Sequence, residues 1–100
     1  MFNNAGAGMI TKNFKTYNLE EFLQKLKGSL EENGFSVIKT IDMMEKKGSF
    51  PKVLAMEVIK GEQYFRIGIV MDKNGITITI PIKDKKLKQA LKDIIETLLV

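Results

Sequence analysis

Along residues 76–82 apolar and polar side chains alternate without a break, Ile76, Ile78, Ile80 and Ile82 against Thr77, Thr79 and Pro81. A period of two sends successive side chains to opposite faces of a strand, so this segment predicts a strand buried on one face only. A different period governs 19–32, where Leu19, Phe22, Leu23, Leu26 and Leu30 recur every three or four residues. That spacing gathers them on one stripe of an α-helix and leaves Glu20, Glu21, Lys25, Lys27, Glu31 and Glu32 for water. Asn18 precedes the stripe as an N-cap, Glu21 stands where a capping-box carboxylate belongs, and Asn33-Gly34 supplies the stop.

A second helix is predicted from Asp84, a capping residue, to the C-terminus, with Leu87, Ala90, Leu91, Ile94, Ile95, Leu98 and Leu99 as its stripe. β-branched and aromatic residues mark a strand at 10–17, whose Lys12 and Lys15 suit a sheet edge, and further strands at 35–43, 53–60 and 64–71. Two of these strands test each other. With Gly61-Glu62 as a two-residue turn, Lys60 pairs with Gln63, and the register sets Val58 opposite Phe65, Met56 opposite Ile67 and Leu54 opposite Ile69, all apolar. The other face then pairs Glu57 with Arg66, Ile59 with Tyr64, Ala55 with Gly68 and Val53 with Val70. An opposite-charge pair is what an exposed or half-exposed face holds. Asp72-Lys73-Asn74-Gly75 makes the next hairpin, since Asn-Gly suits a type I′ turn, and it matches Met71 with the isoleucine face of the last strand.

Two helices with one apolar stripe each need one face of a sheet. The expected fold is therefore an α+β two-layer sandwich, a mainly antiparallel sheet in β-α-β-β-β-β-α order with both helices on one face. Residues 1–8, small and polar without a period, read as a disordered leader, with Met9 as an alternative start and 9–100 as a single domain.

Within 10–42, Leu19, Glu20 and Phe22, the stretch 26–30, Gly34-Phe35-Ser36-Val37 and Ile41-Asp42 together resemble a family known only as domain of unknown function 302. Its members open with a strand, an amphipathic helix and a second strand containing Gly-Phe. The resemblance implies a TATA-binding-protein-like fold in the same β-α-β4-α order, and no established activity, because a fold alone does not assign one.

Composition narrows the chemistry. At 100 residues, with 44% hydrophobic and 28% charged side chains, the chain supports one core. It has no cysteine, which removes disulfides and thiolate ligands and favours a cytoplasmic setting. No apolar run approaches the roughly 18 residues of a membrane helix, and the N-terminus lacks the pattern of a signal peptide, so neither secretion nor a membrane is expected. The absence of histidine excludes Ser-His-Asp and Cys-His catalysis and leaves any metal site to carboxylates. The net charge of +4 comes from fifteen lysines against a single arginine, Arg66, a balance that serves solubility before specific anion recognition. The lysine-, glutamate- and isoleucine-rich usage resembles that of thermophile proteins.

Three constellations remain. Asp42, Glu57 and Lys60 suggest a carboxylate-metal enzyme, but strand residues three apart point to opposite faces, so Glu57 is read instead as the partner of Arg66. Lys83, Lys85, Lys86, Lys88 and Lys92, with Lys46, Lys47 and Lys52, suggest a sequence-independent nucleic-acid surface. Asp84, Asp93 and Glu96 dilute it, and no aromatic is interleaved for base stacking. The third is the sheet face without helices, where Val53, Ala55, Ile59, Tyr64, Gly68, Val70, Thr77 and Thr79 surround the Glu57–Arg66 pair. It is more apolar than a solvated face requires, which marks an interaction surface. Met43, Met44 and Met56 read as core filler and Gly48-Ser49-Phe50-Pro51 as a turn. The leading expectation is thus a non-catalytic interaction or ligand-binding module that homodimerises through the helix-free face. A nucleic-acid binder comes second and a metal enzyme third, with no cofactor implied.

Overall fold

A computed structural model of the chain describes residues 8–44 and 51–99; residues 1–7, Lys46, Lys47 and the Gly48-Ser49-Phe50 part of the expected turn lie outside them. The elements are β1 (Met9–Phe14), α1 (Leu19–Glu32), β2 (Ser36–Asp42), β3 (Lys52–Lys60), β4 (Gln63–Asp72), β5 (Gly75–Pro81) and α2 (Lys85–Thr97). All strand pairs are antiparallel, in the spatial order β1-β5-β4-β3-β2. The first two strands therefore form opposite edges of the sheet, and α1 carries the chain from one edge to the other. The expected α+β order, β-α-β-β-β-β-α, is the observed one.

One face of the sheet and the stripes of both helices form a single core. Leu54, Met56, Val58, Phe65, Ile67, Ile69, Ile76, Ile78 and Ile80 meet Phe22, Leu26 and Leu30 of α1 and Leu87, Leu91, Ile94 and Ile95 of α2. Phe14 of β1 packs its ring 5.1 Å from that of Phe22, and Phe35 meets Phe65 edge-on at 6.1 Å. Both edges are blunted. On β1, Lys12 turns to the helix-covered face, where its Nζ lies 5.4 Å from the centre of the Phe14 ring. On β2, a bulge interrupts the ladder between Val37 and Lys39. Inward charges and bulges are the usual devices that stop an edge from recruiting another strand.

The helix ends follow their sequence signals with one exception. The Asn18 side chain accepts from Glu21 N at 3.1 Å, and the Asp84 side chain from Leu87 N at 2.9 Å. At the end of α1, Phe35 N donates to Leu30 O and Gly34 N to Glu31 O, with Gly34 at φ +86°, a Schellman stop that needs the glycine. The capping box is only half formed, because the Glu21 carboxylate pairs with Lys25 one turn on, at 3.9 Å.

Other expectations need correction. β1 ends at Phe14 rather than at 17, since Tyr17 leaves the strand to donate its hydroxyl to Lys73 O at 2.6 Å. Met43 and Met44 are not core filler: they are 54% and 38% exposed just past the end of β2, whereas Met56 is in the core. α2 stops at Thr97, leaving Leu99 83% exposed. The β4–β5 turn is centred on Lys73-Asn74, and Gly75, at φ +103°, opens β5 opposite Asp72.

Candidate interaction face

The three hairpins and the β1 pairing lay the helix-free face out in rows. The middle row runs Ile41, Ala55, Gly68, Thr79 and Thr11 across all five strands. On one side of it lie Val53, Val70, Thr77 and Asn13, and on the other Lys39, Glu57 and Arg66. Ile59 and Tyr64 pair beyond these, at the Gly61-Glu62 turn. Val53, Ala55, Glu57, Ile59, Tyr64, Arg66 and Val70 thus share one surface, in the register that the two-residue turn predicts, and Thr79 joins them through the β4–β5 pairing.

Lys39 and Ile41 join this surface because of the bulge, and the sequence reading missed them. In an unbroken ladder Ile38 would face Glu57, and Lys39 would point into the core opposite Met56. One extra residue reverses the side assignment of all that follow, so Lys39 comes to lie beside Glu57 and Ile41 beside Ala55. The available signal was a lysine at a position that a regular strand would bury.

Glu57 is the one charged residue among those described that is buried, at 8% exposure. Arg66 Nη2 donates to its Oε2 at 2.9 Å, while Arg66 Nε donates to the Tyr64 hydroxyl at 3.1 Å. That leaves the Tyr64 proton for the carboxylate. The Tyr64 hydrogen bond is the main influence holding the Glu57 carboxyl below its ordinary 4.5; burial opposes it, and Arg66 and Lys39 reinforce it. The Arg66 guanidinium is correspondingly raised, by Tyr64 first and Glu57 next. No buried side-chain nitrogen or oxygen among the described residues lacks a partner.

A depressed carboxyl stabilises the fold only where it is ionised. Stability from Glu57 is therefore fully present above its unfolded-state value of 4.5 and is lost as pH falls through its lower folded value. Glu57→Gln should lower the urea midpoint at neutral pH, and the gap to the natural chain should narrow as the pH is taken below 4.5. A gap that stays constant across that range would remove the ionic role.

The metal constellation comes apart. Glu57 and Lys60 occupy opposite faces; Lys60 Nζ donates to Asn33 O at 3.1 Å and lies 4.8 Å from the Phe35 ring centre, at the end of α1. Among the described residues no group of three or more His, Cys, Asp or Glu is placed to hold a metal ion. Lys83, Lys85, Lys86 and Lys92 are exposed and Lys88 half-buried. Lys86 borders a shallow groove with Lys60, Gln63, Asp84, Leu87 and Ala90. Lys52 lies at the far end of β3, eight strand residues and about 26 Å from Lys60, so it does not extend that cluster. Among the described residues no helix is long and apolar enough to cross a membrane.

No family model matches the chain, and neither does any curated protein. Among solved structures it is similar to the crystal structure of an uncharacterized conserved protein DUF302 from Bacillus stearothermophilus. The two superpose with a TM-score of 0.62 at 19% sequence identity, over 91% of this chain and 92% of that one. At that identity the likeness is one of fold, and it extends far beyond the stretch at 10–42 where the residues themselves resemble the family. The chain thus has the DUF302-like fold that those residues implied.

Proposed function

We propose that this chain is a non-catalytic, cytoplasmic interaction module that pairs with a second copy of itself through the helix-free sheet face. The observation that carries the reading is the makeup of that face: half-buried Val53, Ile59, Val70 and Ile41 surround a Glu57–Arg66 pair that neutralises itself. Covering such a surface removes apolar area from water and closes over a charge pair already matched within the chain, with Lys39 beside it on the edge strand. The blunted edges support the face as the route, since both β1 and β2 resist strand addition. Soluble proteins that self-associate are most often two-fold dimers, in which one patch meets its own copy.

Sedimentation tests this directly. The chain is expected to run as a dimer of about 23 kDa, twice its 11.3 kDa, at micromolar concentration, with a melting temperature that rises with concentration. A monomer with a concentration-independent melt would overturn the reading.

A further inference from the structure

The chain holds two Asn-Gly pairs, Asn33-Gly34 at the end of α1 and Asn74-Gly75 in the β4–β5 turn, and both asparagines are exposed. Asparagine is among the thermolabile residues, and most so before glycine, where no side chain shields the next backbone nitrogen. That nitrogen can attack the side-chain amide carbon and expel ammonia. Whether a fold permits the attack depends on how it holds the two groups.

The two asparagine side chains are held differently. Asn33 Nδ2 donates to Ser29 O at 2.7 Å, back along α1, and Gly34 N donates to Glu31 O at 3.1 Å. Leaving group and nucleophile are thus both tied into the helix end. At Asn74 every hydrogen bond among the described residues runs through the backbone instead. Its N donates to Asp72 Oδ1 at 2.8 Å, and its O accepts from Asn13 Nδ2 at 3.1 Å and from Lys15 Nζ at 3.5 Å. Its side-chain amide is left to water. Gly75 stands in the last pair of the β4–β5 ladder, opposite Asp72, where local opening costs least.

The donors on Asn74 O bear on the same reaction. That oxygen belongs to the peptide group whose nitrogen must lose its proton, and it shares the charge so formed, where an ammonium and an amide already point. Lys60 Nζ does the same for Asn33 O at 3.1 Å, so the two peptides are alike and the side-chain tether makes the difference.

We propose that Asn74 is a self-modification site of the folded chain. Gly75 N bonds to Asn74 Cγ, the Cγ–Nδ2 bond breaks, and the amide leaves as ammonia carrying the proton from Gly75. Water then opens the cyclic imide at either carbonyl, giving aspartate or isoaspartate. Nothing is oxidised or reduced, and water is the only co-reactant. The isoaspartate product lengthens the backbone in the turn whose carbonyls hold Asn13, Lys15 and Tyr17, and so loosens the end of β1.

The folded chain and a sample held in guanidinium chloride are incubated at mildly alkaline pH. Peptide mapping by mass spectrometry follows replacement of amide by carboxyl at each asparagine, and an isoaspartyl methyltransferase marks the isomer. The rate at Asn74 relative to Asn33, near equality in denaturant, is expected to rise about tenfold or more in the folded chain, the effect of tethering one amide and not the other. Lys15→Glu, its fold confirmed by circular dichroism, is expected to slow conversion at Asn74 by about tenfold, since an anion replaces the cation beside the forming charge. Equal rates in the folded chain, or an Asn74 that stays intact while the denatured sample converts, would overturn the proposal. An unchanged rate in Lys15→Glu would overturn the part given to Lys15.

Discussion

Gly75→Ala is expected to lower folding stability by about 3 kcal/mol or more, read from the shift in the urea unfolding midpoint at unchanged slope. Two causes add. At φ +103° the backbone occupies a region that L side chains rarely adopt, and a Cβ there would collide with the carbonyl oxygen of Phe14. That oxygen cannot move aside cheaply, because it accepts from Thr16 N at 2.9 Å and belongs to a residue that pairs with Ile76 and packs its ring against Phe22. Relief therefore means displacing the end of β1. This would also loosen the clasp that β1 and the residues after it place on the β4–β5 turn, where Asn13 reaches Asn74 O at 3.1 Å and Tyr17 reaches Lys73 O. An effect below about 1 kcal/mol, the ordinary cost at a strand position, would show that β1 is free to shift.

The same glycine illustrates what could be read without coordinates. Asn74-Gly75 signals a hairpin, and a hairpin forms, but the turn centre falls one residue earlier. The positive φ of Gly75 serves the close passage of Phe14, a contact between residues about sixty positions apart that no local pattern reveals. The β3–β4 register was legible because two independent features agreed on it: a two-residue turn fixed the pairing, and Glu57 then met Arg66. Nothing comparable marked the β2 bulge. Ile38 is β-branched and suits a regular strand, so only the placement of Lys39 argued against an unbroken ladder. The residues assigned to the open face were found through register. Ile41 and Lys39 were lost to the bulge, and Thr11 and Asn13 to a β1–β5 pairing that depends on how α1 crosses the sheet.

Val70→Asp is expected to abolish self-association at micromolar concentration while leaving a folded monomer. Val70 is half-buried on the open face between Val53 and Thr77, so within one chain a carboxylate there keeps contact with water and costs only about 1 kcal/mol in strand preference. In the pair it would be covered with no cation beside it, since Arg66 is already held by Glu57 and Tyr64. An uncompensated charge in a closed interface costs about 3–5 kcal/mol, a loss of roughly a hundredfold or more in affinity, and a two-fold contact incurs it once per copy. Sedimentation should thus give a monomer whose melt no longer depends on concentration, with circular dichroism unchanged. A Val70→Asp chain that still forms a dimer would place the contact elsewhere on the molecule. One that fails to fold would instead show Val70 to be part of the core, and Val53→Asp would then decide the matter from the neighbouring strand.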